Sequence, residues 1–309
     1  MDNVLFVPSV ADTEWVQGLK PGASAAELPV AGRRAIDYML EFSHRYDVMF
    51  TEVIDWHFSQ DLADDFSEIT RTGYPVFYVK GEGPVPKGLA EIECVSTPLT
   101  QPVQDGLVVA WGLFAILCEP GTPSLAPLSD EECAVTPPGI YRRVDGRWFR
   151  EEVDVVVVKD VATWHRVNLG ILHQPERFTL PGYSAEENVH IGRSVVMEYG
   201  TKVKAPVLLC DNTWLARNVV LDGDVIVSTG SFIGEGTRLK NTFVGHDTYI
   251  GVGLDFENKI IIGNRVIDPE SGAYMDIDEP GLARRILPGF GWLRKLWHFL
   301  RGRSHGRLG

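Results

Sequence analysis

An α/β layer followed by a parallel β-helix is the fold class that this 309-residue sequence predicts. Three observations lead to it. Strand-like and helix-like apolar patterns alternate over the first 185 residues, as they do in βαβ units. From residue 191 onward, a large apolar residue returns at every sixth position. Glycine and proline, 31 and 19 residues, make up about one residue in six, which favours turns and short strands over long helical bundles.

Taken in order, Val4 to Val7 is an apolar run, and Ile36, Met39, Leu40 and Phe42 fall at helical spacing between Ala31 and Arg45. Val48 to Ile54 is strand-like again, so the chain begins as strand, helix, strand. A helix carrying Leu62, Phe66 and Ile69 follows, then a strand from Val76 to Val79. Leu107 to Leu117 is almost continuously apolar, as expected of a strand covered on both faces. Gly121 to Pro138, rich in proline and acidic residues, reads as a long surface loop.

The six-residue series runs Ile191, Met197, Val203, Leu209, Leu215, Leu221, Val227, Ile233, Leu239. If a third of residues are large and apolar, nine such hits at fixed spacing occur by chance on the order of once in ten thousand starting points. Four residues after each of the first eight anchors stands a small or β-branched residue: Val195, Thr201, Val207, Thr213, Val219, Val225, Ser231, Thr237. The phase slips by one after Leu239 and resumes at Val244, Ile250, Phe256 and Ile262, marking a loop or bulge. This is the pattern of a hexapeptide β-helix of about four coils over residues 188–262, with apolar residues stacked inward and small ones in the corners. A sandwich would show period two instead.

Charge and composition exclude several functions. A net charge of −13, from 29 basic and 42 acidic side chains, would be repelled by phosphate backbones, so no nucleic-acid partner is expected. Cys94, Cys118, Cys133 and Cys210 form no CxxC pair and have no matching histidine spacing, which argues against a disulfide framework or a zinc site and fits a reducing cytoplasm. Met1 to Pro8 has no basic start or long apolar run, and no stretch reaches the ~18 apolar residues of a membrane span, so neither a secretory leader nor an anchor is expected.

The run Glu27-Leu28-Pro29-Val30-Ala31-Gly32-Arg33-Arg34-Ala35-Ile36-Asp37-Tyr38-Met39-Leu40-Glu41 closely resembles a segment of the sugar-1-phosphate nucleotidyltransferases (NDP-sugar pyrophosphorylases). In that family, leucine-proline-valine-x-glycine leads into the helix after the phosphate loop. Leu107-Val108-Val109-Ala110-Trp111-Gly112 resembles the family strand that ends at a metal-binding aspartate, and Thr163-Trp164-His165-Arg166-Val167 its tryptophan-x-aspartate-valine turn. Asp247 to Leu254 and Gly263 to Asp268 are similar to the end of the family's left-handed β-helix. The resemblance covers about residues 3–278. It implies a Rossmann-like nucleotidyltransferase domain over residues 1–185, a left-handed β-helix over 186–279, and a linker and basic tail over 280–309. It also implies a role in polysaccharide or cell-envelope sugar metabolism, with a sugar phosphate or nucleotide sugar as ligand and Leu28, Gly32, Arg33 and Gly112 at the nucleotide or sugar site. Association of copies through the coil faces is a further implication.

Nucleotidyl transfer must stabilise charge on a pentavalent phosphorus with backbone amides, a basic side chain and magnesium. Here the loop after the first strand reads Pro8-Ser9-Val10-Ala11-Asp12-Thr13-Glu14, with no glycine and two carboxylates. The family's lysine-proline pair falls on Ala25-Ala26, although Lys20-Pro21 lies nearby. Leu113 and Arg166 stand at the two metal aspartates, and neither can offer oxygen to a hard cation. The resemblance therefore implies a lost or altered transfer site with no resident metal. An active enzyme with a rearranged loop, which would need magnesium, is the alternative.

His246 lies where hexapeptide acyltransferases often carry a general base, and an acyltransferase is the third reading. A surface histidine at the phase slip is the preferred account, because the surrounding residues resemble the nucleotidyltransferase ending more closely. His165 and His173 read as structural, and Asp211, Asp222 and Asp224 as solvated corner residues. Pro280 to Gly291 reads as a linker, leading to a tail with Trp292, Leu293, Leu296, Trp297 and Leu300 on one helical face and Arg294, Lys295 and Arg301 elsewhere. That composition suits an interfacial helix on the inner, anionic membrane surface, an acidic groove of a protein partner, or the chain's own acidic body.

Overall fold

The computed structural model describes residues 3–8, 10, 13, 15–19, 23–43, 50–67, 75–92, 95, 105–112, 114–116, 122–124, 126–153, 155–175, 178 and 180–286. The chain divides into two compact units, Met1–Leu180 and Pro181–Gly309. The boundary falls five residues before the expected 185, because Tyr183–Glu186 pairs antiparallel with Val189–Ile191 and so belongs to the second unit.

The first unit is an α/β layer. Its strands are β1 (Asn3–Val7), β2 (Pro29–Val30), β3 (Arg33–Arg34), β4 (Thr51–Asp55), β5 (Val76–Lys80), β6 (Leu107–Trp111), β7 (Phe114–Ile116), β8 (Thr122–Pro123), β9 (Gly139–Val144), β10 (Arg147–Glu152) and β11 (Val155–Val157). Its helices are α1 (Trp15–Leu19), α2 (Ala35–Ser43), α3 (Gln60–Ser67), α4 (Leu89–Ile92), α5 (Asp130–Ala134) and α6 (Val161–Ile171). The main sheet runs β5-β4-β1-β6-β9-β10-β8, with the first four strands parallel and β9 and β10 turning antiparallel. Parallel neighbours need crossovers, and the helices between them cover the sheet. Strand alternation divides the core. Val4, Phe6, Val53, Val108 and Ala110 pack with Ile36, Met39 and Phe42 of α2 and Leu62 of α3. Leu5, Val7, Ile54, Val109 and Trp111 pack with Leu89 and Ile92 of α4 on the other side. Every residue of β1 except Asn3 is 0% exposed, as the near-continuous apolar reading requires.

In the second unit the strands succeed one another on three faces. The first face carries Val189–Ile191, Val207–Leu209, Val225–Val227, Thr242–Val244 and Ile260–Ile262, edged by Tyr183–Glu186 at one end and by Arg265–Ile267 and Tyr274–Asp276 at the other. The second carries Val196–Met197, Trp214–Leu215, Phe232–Ile233, Thr248–Ile250 and Ala283–Arg285, and the third Lys202–Lys204, Val220–Asp222, Arg238–Lys240 and Asp255–Glu257. Within each face successive layers are parallel, apart from the antiparallel edge strands of the first face and Ala283–Arg285 of the second, and the equivalent residues Leu209, Val227 and Val244 pair in register. The anchors Leu209, Leu215, Leu221, Val227, Ile233, Leu239, Val244 and Ile250 form one core cluster and are all 0% exposed. The corner residues Thr213, Ser231 and Thr237 are fully buried, and each hydroxyl donates to a backbone carbonyl at 2.7 Å, of Cys210, Gly245 and Gly251 in turn. A small polar residue fits there because its hydroxyl is satisfied.

Several expectations need correction. Met197 is 46% exposed, because its strand is the edge of the second face and, among the described residues, no further strand stacks beyond it. A second slip follows the first: Val244 pairs with Ile261, so Ile261 and not Ile262 enters the core cluster. The apolar run from Leu107 is broken at Gly112, whose φ of +94° bends the chain out of the sheet. The expected loop Gly121 to Pro138 contains β8 and α5, the latter started by a capping box between Ser129 and Glu132. The helix expected from Ala31 begins at Ala35, after the β2–β3 hairpin. Nor is Pro280 to Gly291 wholly linker, since Ala283–Arg285 pairs antiparallel with Thr248–Ile250 and Ala283 is fully buried.

Candidate functional site

In an open α/β sheet, ligands bind beyond the carboxyl ends of the parallel strands. In the first unit these ends are Val7, Asp55, Lys80 and Trp111.

Leu28, Gly32 and Arg33 belong to one small device. Ala31 and Gly32, at φ +47° and +78°, make the two-residue turn between β2 and β3. Leu28 is 6% exposed, and its carbonyl accepts the first amide of α2, from Ala35, at 3.0 Å. Arg33 folds back onto α2: it pairs with Glu41 at 2.8 Å and lies 4.7 Å over the Tyr38 ring. Helix α6 holds the hairpin. The buried Asn168 accepts the Ala31 amide at 2.7 Å, and the Trp164 indole donates to the Pro29 carbonyl at 2.7 Å. Gly112 stands on a different element. Its amide donates to the Val7 carbonyl at 2.9 Å, and a Cβ there would lie 2.8 Å from Pro138, so the residue is backed by protein.

Of the loop after β1, Pro8, Val10 and Thr13 are described. Thr13 is 4% exposed. Its hydroxyl accepts the Val10 amide at 3.0 Å and donates to the Val10 carbonyl at 2.7 Å. A phosphate cradle needs outward-pointing amides. The Val10 amide is bonded within its own turn.

At Arg166, which the resemblance places at the second metal position, the local structure differs from the expected turn. Arg166 does not sit in a strand-to-helix turn; it is an exposed residue inside α6. The turn lies six residues earlier, and there the aspartate-valine pair is Asp160-Val161. Asp160 caps α6, accepting the Thr163 amide at 2.6 Å, which holds its carboxyl below the usual range. Leu113, at the other position, lies outside the described residues. Magnesium fits Leu113 and Arg166 poorly, since neither side chain offers oxygen to a hard cation. Among the described residues, no group of three or more His, Cys, Asp or Glu side chains could hold a metal ion.

Sequence reasoning missed a polar cluster at the end of β4. Asp55 is 0% exposed; it accepts the hydroxyl of Ser24, the hydroxyl of Tyr78 at 3.0 Å and the amide of His57 at 2.9 Å. Burial, reinforced by Asp55, pushes the Tyr78 phenol well above its ordinary value, so it stays protonated and keeps donating. Ser24 also accepts the Ala26 amide, which ties the segment before Leu28 to the sheet edge. With donors from Ser24, Tyr78 and His57 on its oxygens, Asp55 positions the loop. The signal that could have found it is a pair of acids, Glu52 and Asp55, in a strand buried along its whole length.

In the second unit His246 is exposed at a corner between the first and second faces. Asp247 after it has φ +50°, and its amide donates to the Thr229 carbonyl of the preceding layer, as the Asn212 amide does to Arg193. The histidine thus occupies a recurring corner position held by the backbone. Asp211 pairs there with Arg193 at 2.7 Å, and Asp222 bridges Lys204 at 3.2 Å and Arg238 at 2.5 Å on the third face. Trp292, Arg294, Lys295, Trp297 and Arg301 lie outside the described residues.

Among the described residues, no helix is long and apolar enough to cross a membrane. Compared with known proteins, the chain matches no family model, and no curated protein matches it significantly.

Proposed function

We propose that this chain is a sugar-nucleotidyltransferase-like protein of polysaccharide or cell-envelope sugar metabolism, which binds a sugar phosphate or nucleotide sugar and has lost efficient nucleotidyl transfer. In this reading the first unit is the Rossmann-like nucleotide domain and the second a left-handed β-helix. The leucine-proline-valine-x-glycine hairpin leading into α2 supports the kinship. The observation that carries the loss is the turn after β1, where Thr13 takes the Val10 amide that a phosphate would need.

The full chain, incubated with nucleoside triphosphates, sugar-1-phosphates and magnesium, is expected to release no pyrophosphate. Calorimetry is expected to show no magnesium-dependent triphosphate binding tighter than roughly 1 mM, about −4 kcal/mol. Micromolar binding of that kind would overturn the loss. Nucleotide sugars without metal should still raise the melting temperature saturably, by linkage worth about 2.7 kcal/mol at one hundred times Kd. Silence across the panel would remove the binding role. Asp160, at a strand-to-helix turn, favours the second reading, an active enzyme with a rearranged loop. Pyrophosphate release that is lost in Asp160→Asn would establish that reading instead.

A further inference from the structure

On the second face of the second unit, aromatic side chains stand where the third face carries charge. Leu215, Ile233 and Ile250 belong to the interior cluster, so strand alternation turns Trp214, Phe232 and Tyr249 outward. These three pair in register from layer to layer, between Val196 at one end of the file and Arg284 at the other. Val196 is 37% exposed, and the three rings are partly open to water. The outward positions of the third face instead carry Lys204, Asp222, Arg238 and Asp255, joined by ion pairs. A file of large apolar side chains that stays wet is the mark of a binding surface.

We propose that this file is a docking strip for a neutral, extended oligosaccharide, which lies along it with its sugar rings over Trp214, Phe232 and Tyr249. The proposal goes beyond the reading of the first unit and does not rest on it. Geometry gives the first argument. The ring centroids are 6.3 and 5.4 Å apart, more than the strand spacing of about 4.8 Å, so the rings overlap with an offset and each leaves part of its face uncovered. Ala216, Gly234 and Gly251, the next outward positions of the same strands, carry at most a methyl group, so on that side nothing rises beside the rings. Sugar rings present C–H groups on their faces and hydroxyls at their rims, and they need aromatic surface with a few polar groups beside it. Those groups are present. Glu198 accepts the Trp214 indole N–H at 3.0 Å and pairs with Arg217 at 3.7 Å. The Arg284 guanidinium lies 4.9 Å over the Tyr249 ring and, among the described residues, has no ion pair.

Size gives the second argument. Five strands span about 19 Å, and adjacent outward columns lie about 7 Å apart, so the strip offers on the order of 200 Å². A stable protein interface takes about 800 Å² from each partner, so the strip is too small for a second copy and matches a single extended chain. The third argument is charge. Beside the strip, Arg193 pairs with Asp211 at 2.7 Å and Arg217 with Glu198, so the charges cancel. An anionic polymer or a bilayer meets no basic track there, and a neutral chain loses nothing. A proline-rich peptide would need a slot of about 7–8 Å between ring planes, two contacts of about 3.5–4.0 Å, and these rings stand closer.

The test is native affinity electrophoresis of the full chain in gels containing hydroxyethyl cellulose, laminarin, galactomannan or dextran. At least one of these neutral polysaccharides is expected to retard the wild-type chain. Trp214→Leu and Phe232→Leu keep an apolar side chain but remove the ring, and each is expected to weaken that retardation about tenfold in Kd. Arg238→Ala, on the third face, should leave it unchanged. No retardation in any of the four gels would overturn the proposal, and so would full retardation of a ring variant that circular dichroism shows to be folded. A second measurement needs no variant. The retarding polysaccharide should protect Trp214 of the wild-type chain from oxidation by N-bromosuccinimide, read by peptide mapping, and oxidation at an unchanged rate would place the sugar elsewhere and sink the idea. Binding of decaproline that is lost in Phe232→Leu, with no retardation by polysaccharide, would give the strip to a peptide instead. None of the probes is a nucleotide sugar or a sugar phosphate, so the outcome is separate from that of the first unit.

Discussion

A single buried side chain shows how sharply this chain separates inside from outside. Leu221 and Asp222 are adjacent in one strand, yet Leu221 is 0% exposed in the stacked core while Asp222 faces water between Lys204 and Arg238. Leu221→Asp is expected to cost about 4 kcal/mol or more, because it buries a charge with no partner. Asp222→Asn should change the melting temperature little, as exposed ion pairs contribute little. Thermal melts of both variants check this, and equal melting of Leu221→Asp and the parent would reject the inward register. Asn168 is a costlier polar residue to remove, since its carbonyl oxygen is the partner of the buried Ala31 amide. Asn168→Ala should cost about 1–3 kcal/mol by leaving that donor unpaired, measurable by denaturant unfolding. Cys210 adds a pH dependence. Burial pushes its thiol up to about 12. The unfolded thiol ionises near 8.5, so between these values the folded state holds one proton more and stability falls as pH rises, by at most about 1.4 kcal/mol per unit. Cys210→Ala should flatten that alkaline limb, and an unchanged limb in Cys210→Ala would assign it to other groups.

At the scale of elements, the second unit was legible in the sequence because each residue of a coil does a local job that recurs. An inward anchor, a small corner and a turn repeat, and the repeat survives even where Asn241, at φ +46°, makes the corner one residue shorter. The second slip, at Ile261, was not legible, since either Ile261 or Ile262 satisfies an apolar position. The stack of Trp214, Phe232 and Tyr249 along the second face also went unread. Its rings are 6.3 and 5.4 Å apart, with Arg284 4.9 Å over the last of them, and the three residues stand 18 and 17 positions apart. Phe232→Ala removes both ring contacts, about 0.5–1.5 kcal/mol each beyond the lost area. Gly234→Ala should be worse than its size suggests, because the new Cβ would meet the Gly251 carbonyl oxygen of the next layer at 2.3 Å, and backbone must move. In the first unit the four parallel strands of the main sheet were legible as apolar runs, whereas the hairpin of Gly139–Val144 and Arg147–Glu152, with its charged residues, was not. The site was not, because Asp55 with Ser24 and Tyr78, and Asn168 with the hairpin, are contacts between distant segments. The resemblance placed a turn at 163–167, where the structure has the interior of α6, a helix started by its cap at Asp160.

For the whole molecule, the two units are stabilised differently. In the first, strands β1, β4 and β6 are buried on both sides by helices far apart in sequence, so its core forms as one piece. In the second, each layer bonds to the layers before and after it, and stability is close to a sum of layer and neighbour terms. A middle layer has two neighbours and an edge layer has one. The strand Val225–Val227 lies between two parallel partners and is entirely buried, whereas Val196–Met197 has one partner and both its side chains are exposed. Opening the edge layer breaks one set of bonds and exposes side chains already partly wet, while opening the middle layer exposes core on both sides. Native-state hydrogen exchange should therefore show the greatest protection at residues 225–227 and 242–244, falling toward 196–197, with low denaturant flattening the edge first. Uniform protection along the second unit would mean that it opens only as a whole, and would replace the layer-by-layer account with a single cooperative one.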